Sequence, residues 1–214
     1  MAAPQQKINY QLECEREISR NAGRIPRLLL HSCCAPCSSA VLEKLQEIFE
    51  ITVYYYNPNI SEDLEYRKRV EEQKRLIDAF NQKNPDFPIK VIDGEYEPQE
   101  FYAIAKGLEN CPEGGERCFK CYALRLEKTA QVAKEGNYDY FTTTLTISPL
   151  KNAGKLNEIG EEMALKYGTT FLPSDFKKKE GYKRSIELSK EYDLYRQNFC
   201  GCAFSKAESI KRNL

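Results

Sequence analysis

Seven of the nine cysteines in this 214-residue chain stand in three tight groups, Cys33-Cys34-Ala-Pro-Cys37, Cys118-Phe-Lys-Cys121 and Cys200-Gly-Cys202. A single tetrahedral zinc takes only four ligands, so seven grouped thiols point to an iron–sulfur cluster, to a second metal beside it, or to a dithiol relay. Adjacent Cys33 and Cys34 disfavour a simple zinc ribbon, and Cys37 adds a further ligand three residues on. Cys118 and Cys121 open a predicted helix, where the helix dipole favours thiolate. Apolar packing, the usual fate of a lone free cysteine, suits the isolated Cys14 and Cys111 better than the seven.

His31 is the only histidine, so chemistry that needs two imidazoles is excluded. A lone histidine at a strand end is ordinarily a hydrogen-bonded structural residue. Beside a cysteine loop it is also a candidate proton donor or a tuning hydrogen bond. The stretch Asp175-Phe-Lys-Lys-Lys-Glu-Gly-Tyr182, with Arg184 behind it, is basic and aromatic, and Tyr195-Arg-Gln197 leads into the third cysteine group. Charge runs are usually solvated faces; one that leads into ligands can instead hold phosphates while tyrosine stacks on a base.

The elements that must position these groups alternate. Arg27–Ser32 reads as a short buried strand and Ser38–Phe49 as a helix capped by serine, which places the first cysteine group on a strand-to-helix turn. Further strands are expected at 51–56, 89–92 and 140–145, and helices at 62–80, 98–106, 118–134 and 151–167. Such alternation implies an α/β fold with a mostly parallel sheet covered by helices on both faces, whose ligands gather at the carboxyl ends of the strands. Residues 1–25 are polar apart from a short helix at 10–20 and read as a loosely attached arm; 26–214 read as one α/β catalytic domain.

The 32 basic and 32 acidic residues cancel, so a polyanion partner requires a local patch. No apolar run approaches the ~20 residues of a membrane span, and the start lacks a secretory h-region. A cytoplasmic address is expected, where clustered thiols serve as ligands or redox groups rather than as disulfides.

Five ordered motifs carry a resemblance: Leu-Leu-Leu-His-Ser-Cys-Cys-Ala-Pro-Cys (28–37), Tyr-Asn-Pro-Asn (56–59), Arg-Cys-Phe-Lys-Cys-Tyr-Ala-Leu-Arg-Leu (117–126), Thr-Thr-Thr-Leu-Thr-Ile-Ser-Pro (142–149) with Lys151-Asn152, and Tyr-Arg-Gln-Asn-Phe-Cys-Gly-Cys (195–202). Together they resemble the QueH type of epoxyqueuosine reductase over residues 25–206. The resemblance implies reductive removal of the epoxide oxygen of epoxyqueuosine in a tRNA anticodon to give queuosine, without cobalamin. It also implies a [4Fe–4S] cluster and a mononuclear iron on a core similar to the adenine-nucleotide alpha-hydrolase (HUP-like) fold, with electrons from an external donor.

On this reading Cys33, Cys34, Cys118 and Cys121 hold the cluster. Cys37, Cys200 and Cys202 hold the second iron, and three protein ligands leave it the open position of a catalytic metal. His31 and Tyr182 are candidate proton donors, Lys151, Lys177, Lys178, Arg184 and Arg196 candidate phosphate contacts, and Tyr56 and Tyr122 candidate stacking partners for a base. Cys111 and Cys14 fall outside the pattern. Two other functions compete: a cysteine-rich zinc module that binds RNA, and a tRNA sulfur-transfer enzyme of the ATP-pyrophosphatase type. The latter requires a Ser-Gly-Gly-x-Asp-Ser loop after the first strand; here that turn is Cys-Cys-Ala-Pro-Cys-Ser, without glycine.

Overall fold

A computed structural model describes residues 8–212. Four strands, β1 (Arg27–His31), β2 (Glu50–Tyr55), β3 (Lys90–Asp93) and β4 (Tyr140–Thr143), form one sheet in the order β3-β2-β1-β4. Every pairing is parallel. Leu28, Leu29 and Leu30 of β1 are all fully buried, the continuous apolar run of a strand covered on both faces.

The two-residue alternation of a strand divides these side chains between two cores. Leu28 and Leu30 join Ile51 and Val53 against helices α2 (Ala35–Leu45), α3 (Asp63–Lys83) and α7 (Gly181–Glu191), through Leu42, Leu76 and Leu188 among others. Leu29, Tyr54 and Phe141 face α5 (Glu116–Glu135) and α6 (Ala153–Tyr167) through Leu126, Ala130 and Ile159. The expected α/β architecture with helices on both faces is thus what the chain adopts. Because β2 and β4 flank β1, strand order reverses at β1, and the crevice at the carboxyl ends of β1 and β4 is the switch point where such sheets bind ligands.

Several boundaries differ from expectation. Helix α2 starts at Ala35, not Ser38, with Cys34 as its N-cap and a proline in the first turn, where a missing N–H costs nothing. Cys37 therefore lies inside a helix. β4 ends at Thr143 and passes into a 3-10 turn, Thr144–Ile147. The charged stretch after Tyr182 is the helix α7, with Ser185, Leu188 and Ser189 buried; α4 (Pro98–Ala105) lies earlier in the sequence, and the last helix among the described residues is α8 (Ala203–Arg212).

Of the expected N-terminal arm, residues 1–7 lie outside the described residues. Helix α1 (Tyr10–Arg20) buries Cys14 and Gln11, Asn21 Nδ2 donates to Tyr140 Oη at 3.0 Å, and Glu15 pairs with Lys179 at 2.5 Å.

Candidate metal centre

The turn after β1 is fixed before any sulfur is considered. Ser32 N–H donates to Tyr54 O at 3.0 Å, and the hydroxyls of Ser32 and Ser38 donate to Gln73 Oε1 of α3 at 2.7 and 3.0 Å. On this turn the Sγ atoms of Cys33, Cys34 and Cys37 all lie within 4.8 Å of one another. Among the described residues no other three His, Cys, Asp or Glu converge so closely.

Hydrogen bonds from the thiols of Cys34 and Cys37, aided by Arg125 and by Thr144 Oγ1 at 3.5 Å, hold Cys33 well below the ordinary thiol range. The contact with Cys33, with burial, pushes Cys34 up to about 12 against the lowering effect of Cys37, and contacts with Cys33 and Cys34, with burial, push Cys37 well above its usual value.

The other four clustered cysteines, Cys118, Cys121, Cys200 and Cys202, line a single small pocket. Gly115 caps α5, and Gly114 N–H donates to Cys118 Sγ at 3.3 Å. Cys200 and Cys202 turn on Gly201, whose φ of +113° favours glycine, and their sulfurs are 3.5 Å apart. Cys200 O accepts from Arg69 Nη1 at 3.1 Å, Cys200 N donates to Ser205 Oγ at 2.9 Å, and Ser205 N donates to Cys202 Sγ at 3.3 Å.

Contrary to the expectation from the helix start, Cys118 rises and Cys121 is pushed up to about 11, because burial outweighs the dipole. Cys200 falls well below its usual value through its contact with Cys202, against burial and with help from the Lys151 ammonium. Two buried polar atoms of residues lining this pocket, Arg117 Nε and Asn59 Oδ1, have no hydrogen-bond partner in the protein.

Next to the three-thiol turn opens a cavity of about 250 Å³, walled by the cations Arg69, Arg125, Lys151 and Arg196 and by Tyr182 and Phe199. Arg125, Lys151 and Cys200 line both this cavity and the four-thiol pocket, so the two are contiguous. Burial alone would lower the Lys151 ammonium, but the neighbouring Cys200, Tyr122 and Cys33 outweigh it and raise its pKa.

The expected site residues separate on this geometry. Tyr182, Lys151 and Arg196 line the cavity. His31 does not: it is fully buried, with Nδ1 2.8 Å from Thr143 Oγ1 and Nε2 3.1 Å from Tyr56 O and 3.2 Å from Arg125 Nε. Burial, then Arg125, lowers its pKa to about 3.

Tyr56 is buried with its hydroxyl bonded to Glu100, and Tyr122 is buried against the four-thiol pocket. Arg184 is occupied by Glu43 (2.8 and 2.7 Å) and Glu187 (3.2 Å), and Lys177 by Asp175 at 2.7 Å. Lys178 is exposed outside the cavity wall.

Three residues were not anticipated: Arg69, Arg125 and Phe199. Arg125 had a signal, since it lies one helical turn beyond Cys121 on the same face of α5. Arg69 had none, being one charge among many in α3, and reaches the site only because α3 packs against the crevice.

The family model for epoxyqueuosine reductase QueH matches residues 28–208. The chain is 46% identical over 204 residues to epoxyqueuosine reductase QueH of Staphylococcus epidermidis, covering 94% of this chain and 85% of the relative. Identity to the protein of the same name from Streptococcus pyogenes serotype M1 is 43% over 204 residues, covering 94% and 80%. With that from Thermotoga maritima it is 36% over 189 residues, covering 87% and 93%. All three cysteine groups lie inside the matched span, and the chain belongs to the QueH family of epoxyqueuosine reductases, which are oxidoreductases.

Proposed function

We propose that this protein reduces epoxyqueuosine in tRNA to queuosine. In this reading Cys118, Cys121, Cys200 and Cys202 hold a [4Fe–4S] cluster and Cys33, Cys34 and Cys37 a single iron. This revises the division expected from sequence, which split Cys37 from Cys33 and Cys34. A single ion requires donors that converge, as the sulfurs of Cys33, Cys34 and Cys37 do within 4.8 Å. The other four share a pocket with no three so close, which suits a polynuclear cluster whose own atoms fill the space between thiolates. The donor set is all soft sulfur, and the unpartnered Arg117 Nε is the kind of donor that an anionic sulfur group accepts.

The observation that carries the reading is the contiguous crevice: convergent thiols bordering a cation-walled cavity, with the four-thiol pocket next to it. When bound, the metal groups would supply single-electron transfer and Lewis acidity. Loss of the epoxide oxygen as water takes two electrons from an external donor and two protons. Tyr182, at the wall and 37% exposed, can release a proton from Oη and recover it from solvent. Lys151, kept protonated, faces negative charge developing on oxygen. Arg196 anchors an anticodon phosphate while Phe199 offers a ring to a base. Among the described residues no helix is long and apolar enough to cross a membrane.

The test is anaerobic reconstitution with iron and sulfide, then incubation with epoxyqueuosine-containing tRNA and a strong reductant. Nucleoside mass spectrometry should find queuosine. An intact cluster that yields none, or a colourless protein that retains only zinc, sinks the assignment. Cys37→Ala should remove one iron and leave the cluster spectrum, whereas Cys121→Ala should remove the cluster; the reverse pattern restores the division expected from sequence.

A further inference from the structure

We propose that Arg117 sets the reducing strength of the group held by Cys118, Cys121, Cys200 and Cys202. It does so by donating its Nε–H to a sulfur in that pocket and by fixing a positive charge there. The inference rests on the reading that these four thiols hold an iron–sulfur cluster.

Arg117 precedes Cys118 in the first turn of α5 and is 2% exposed. Its guanidinium is oriented from several sides: Nη1 donates to Leu108 O at 3.0 Å and Glu109 O at 2.9 Å, Nη2 faces Glu208 at 3.5 Å, and the plane lies over the Phe204 ring at 4.3 Å. All these contacts are made by the terminal nitrogens and the plane of the fork. Nε is buried without a partner on a side chain that lines the four-thiol pocket. A buried charged donor left unpaired is costly, and such groups in native proteins ordinarily mark a missing partner.

The pocket holds three cations in all, and their commitments differ. Arg125 is engaged by His31 and Asn57. Lys151 also walls the larger cavity, as Arg125 does; Arg117 does not. Of the three, Arg117 is therefore the cation that lines the four-thiol pocket and not the larger cavity.

The electrical consequence is direct. A cluster ligated by four thiolates is already anionic, and reduction adds one electron from the external donor. A fixed cation and an N–H···S hydrogen bond favour the more negative state, so both raise the potential. No proton need follow the electron, since arginine stays protonated throughout.

The experiment uses the full chain, reconstituted anaerobically, with potentiometric titration of the reduced-cluster paramagnetic resonance signal. The midpoint potential should fall from wild type to Arg117→Lys, which keeps the charge but loses Nε–H, and fall further in Arg117→Gln. If the side chain only secures the loop at Leu108 and Glu109, cluster content drops while the clusters that do assemble keep the wild-type potential; that result overturns the proposal. A second measurement needs no variant: with ¹⁵N-labelled arginine, pulsed resonance of the reduced wild-type cluster should detect coupling to an arginine nitrogen, and absence of that coupling also overturns it. A wild-type protein that takes up no cluster fails before any variant is made, which removes the underlying reading together with the proposal.

Discussion

Replacing Gly201 by alanine tests whether the ligand turn between Cys200 and Cys202 is as tightly built as its geometry indicates. Two costs add there. The residue sits at φ +113°, a conformation that costs a non-glycine residue about 1–3 kcal/mol. A β-carbon would also stand 2.8 Å from Ile60 Cγ1 and 3.3 Å from Arg69 Nη1. Ile60 is fully buried and Arg69 is tied to Cys200 O, so neither gives way freely, and overpacking adds about 1–3 kcal/mol.

Gly107 supplies the comparison, because it has φ +80° and nothing within 4 Å of the same position. Gly107→Ala should therefore show the backbone cost alone and Gly201→Ala both. In a domain of this size each kcal/mol moves the thermal midpoint by roughly 2–4 °C. Differential scanning calorimetry of the metal-free protein should place Gly201→Ala below Gly107→Ala by about 2–12 °C. Iron analysis after reconstitution should show cluster loss only in Gly201→Ala. Equal midpoints and full iron in both variants would refute the claim that steric confinement of this turn fixes its two sulfurs.

Three further outcomes follow from the same contacts. Arg125→Met leaves Asn57 Oδ1 without its donor in a buried site and should cost about 1–3 kcal/mol in urea unfolding, with iron retention falling as well. Hydrogen bonds from Arg184 hold the Glu43 carboxyl below its ordinary range. The unfolded chain therefore takes up that proton first, and the contribution is complete above about pH 4.3 and is lost as pH falls through the lower folded value. Glu43→Gln should flatten the acid limb of the stability curve without changing iron content. Arg196→Ala should weaken tRNA binding and reduce the salt slope by about 0.7, the increment for one single-strand phosphate, whereas Arg184→Ala leaves both unchanged; filter binding across salt concentrations separates the two.

The parts of the fold legible in the sequence were those whose pattern is strong within a few residues. Leu28-Leu-Leu30 between polar neighbours reads as a strand buried on both faces, and the order of strands and helices follows. Helix α7 was hidden because only Ser185, Leu188 and Ser189 face the core, too weak an apolar repeat to read. Its helicity is supported by packing on α2 and by the Arg184–Glu43 pair. Tyr56 illustrates a signal available but not used: Tyr54 and Tyr56 share one face of the sheet and Tyr55 takes the other. In a parallel sheet both faces are covered, which leaves no tyrosine there free to stack on a substrate. The grouping of the thiols could not be read at all, since Cys33, Cys34 and Cys37 are near in sequence under any division. Whether three sulfurs converge depends on α2 starting at Ala35 and carrying Cys37 back toward the turn.

That early helix start also determines which of the clustered thiols border the cavity. With Cys37 in the first turn of α2, the three convergent sulfurs border the cavity at the carboxyl end of β1. Of the other four ligands, Cys200 reaches that cavity, while Cys118, Cys121 and Cys202 line the inner pocket alone. Cys200 is also the member of the four whose pKa is lowered, by its contact with Cys202 and by the neighbouring Lys151 ammonium at the boundary between the two spaces. This one sulfur, with Arg125 and Lys151, is common to the walls of both spaces, and on the proposed function it lies between the cluster pocket and the substrate cavity. At this sheet switch point the turn after β1, helix α5, the turn after β4 and the segment before α8 all contribute residues to the crevice. Among the described residues, Cys200, Arg125 and Lys151 form the wall the two spaces share, and strand order is what brings their elements to one crevice.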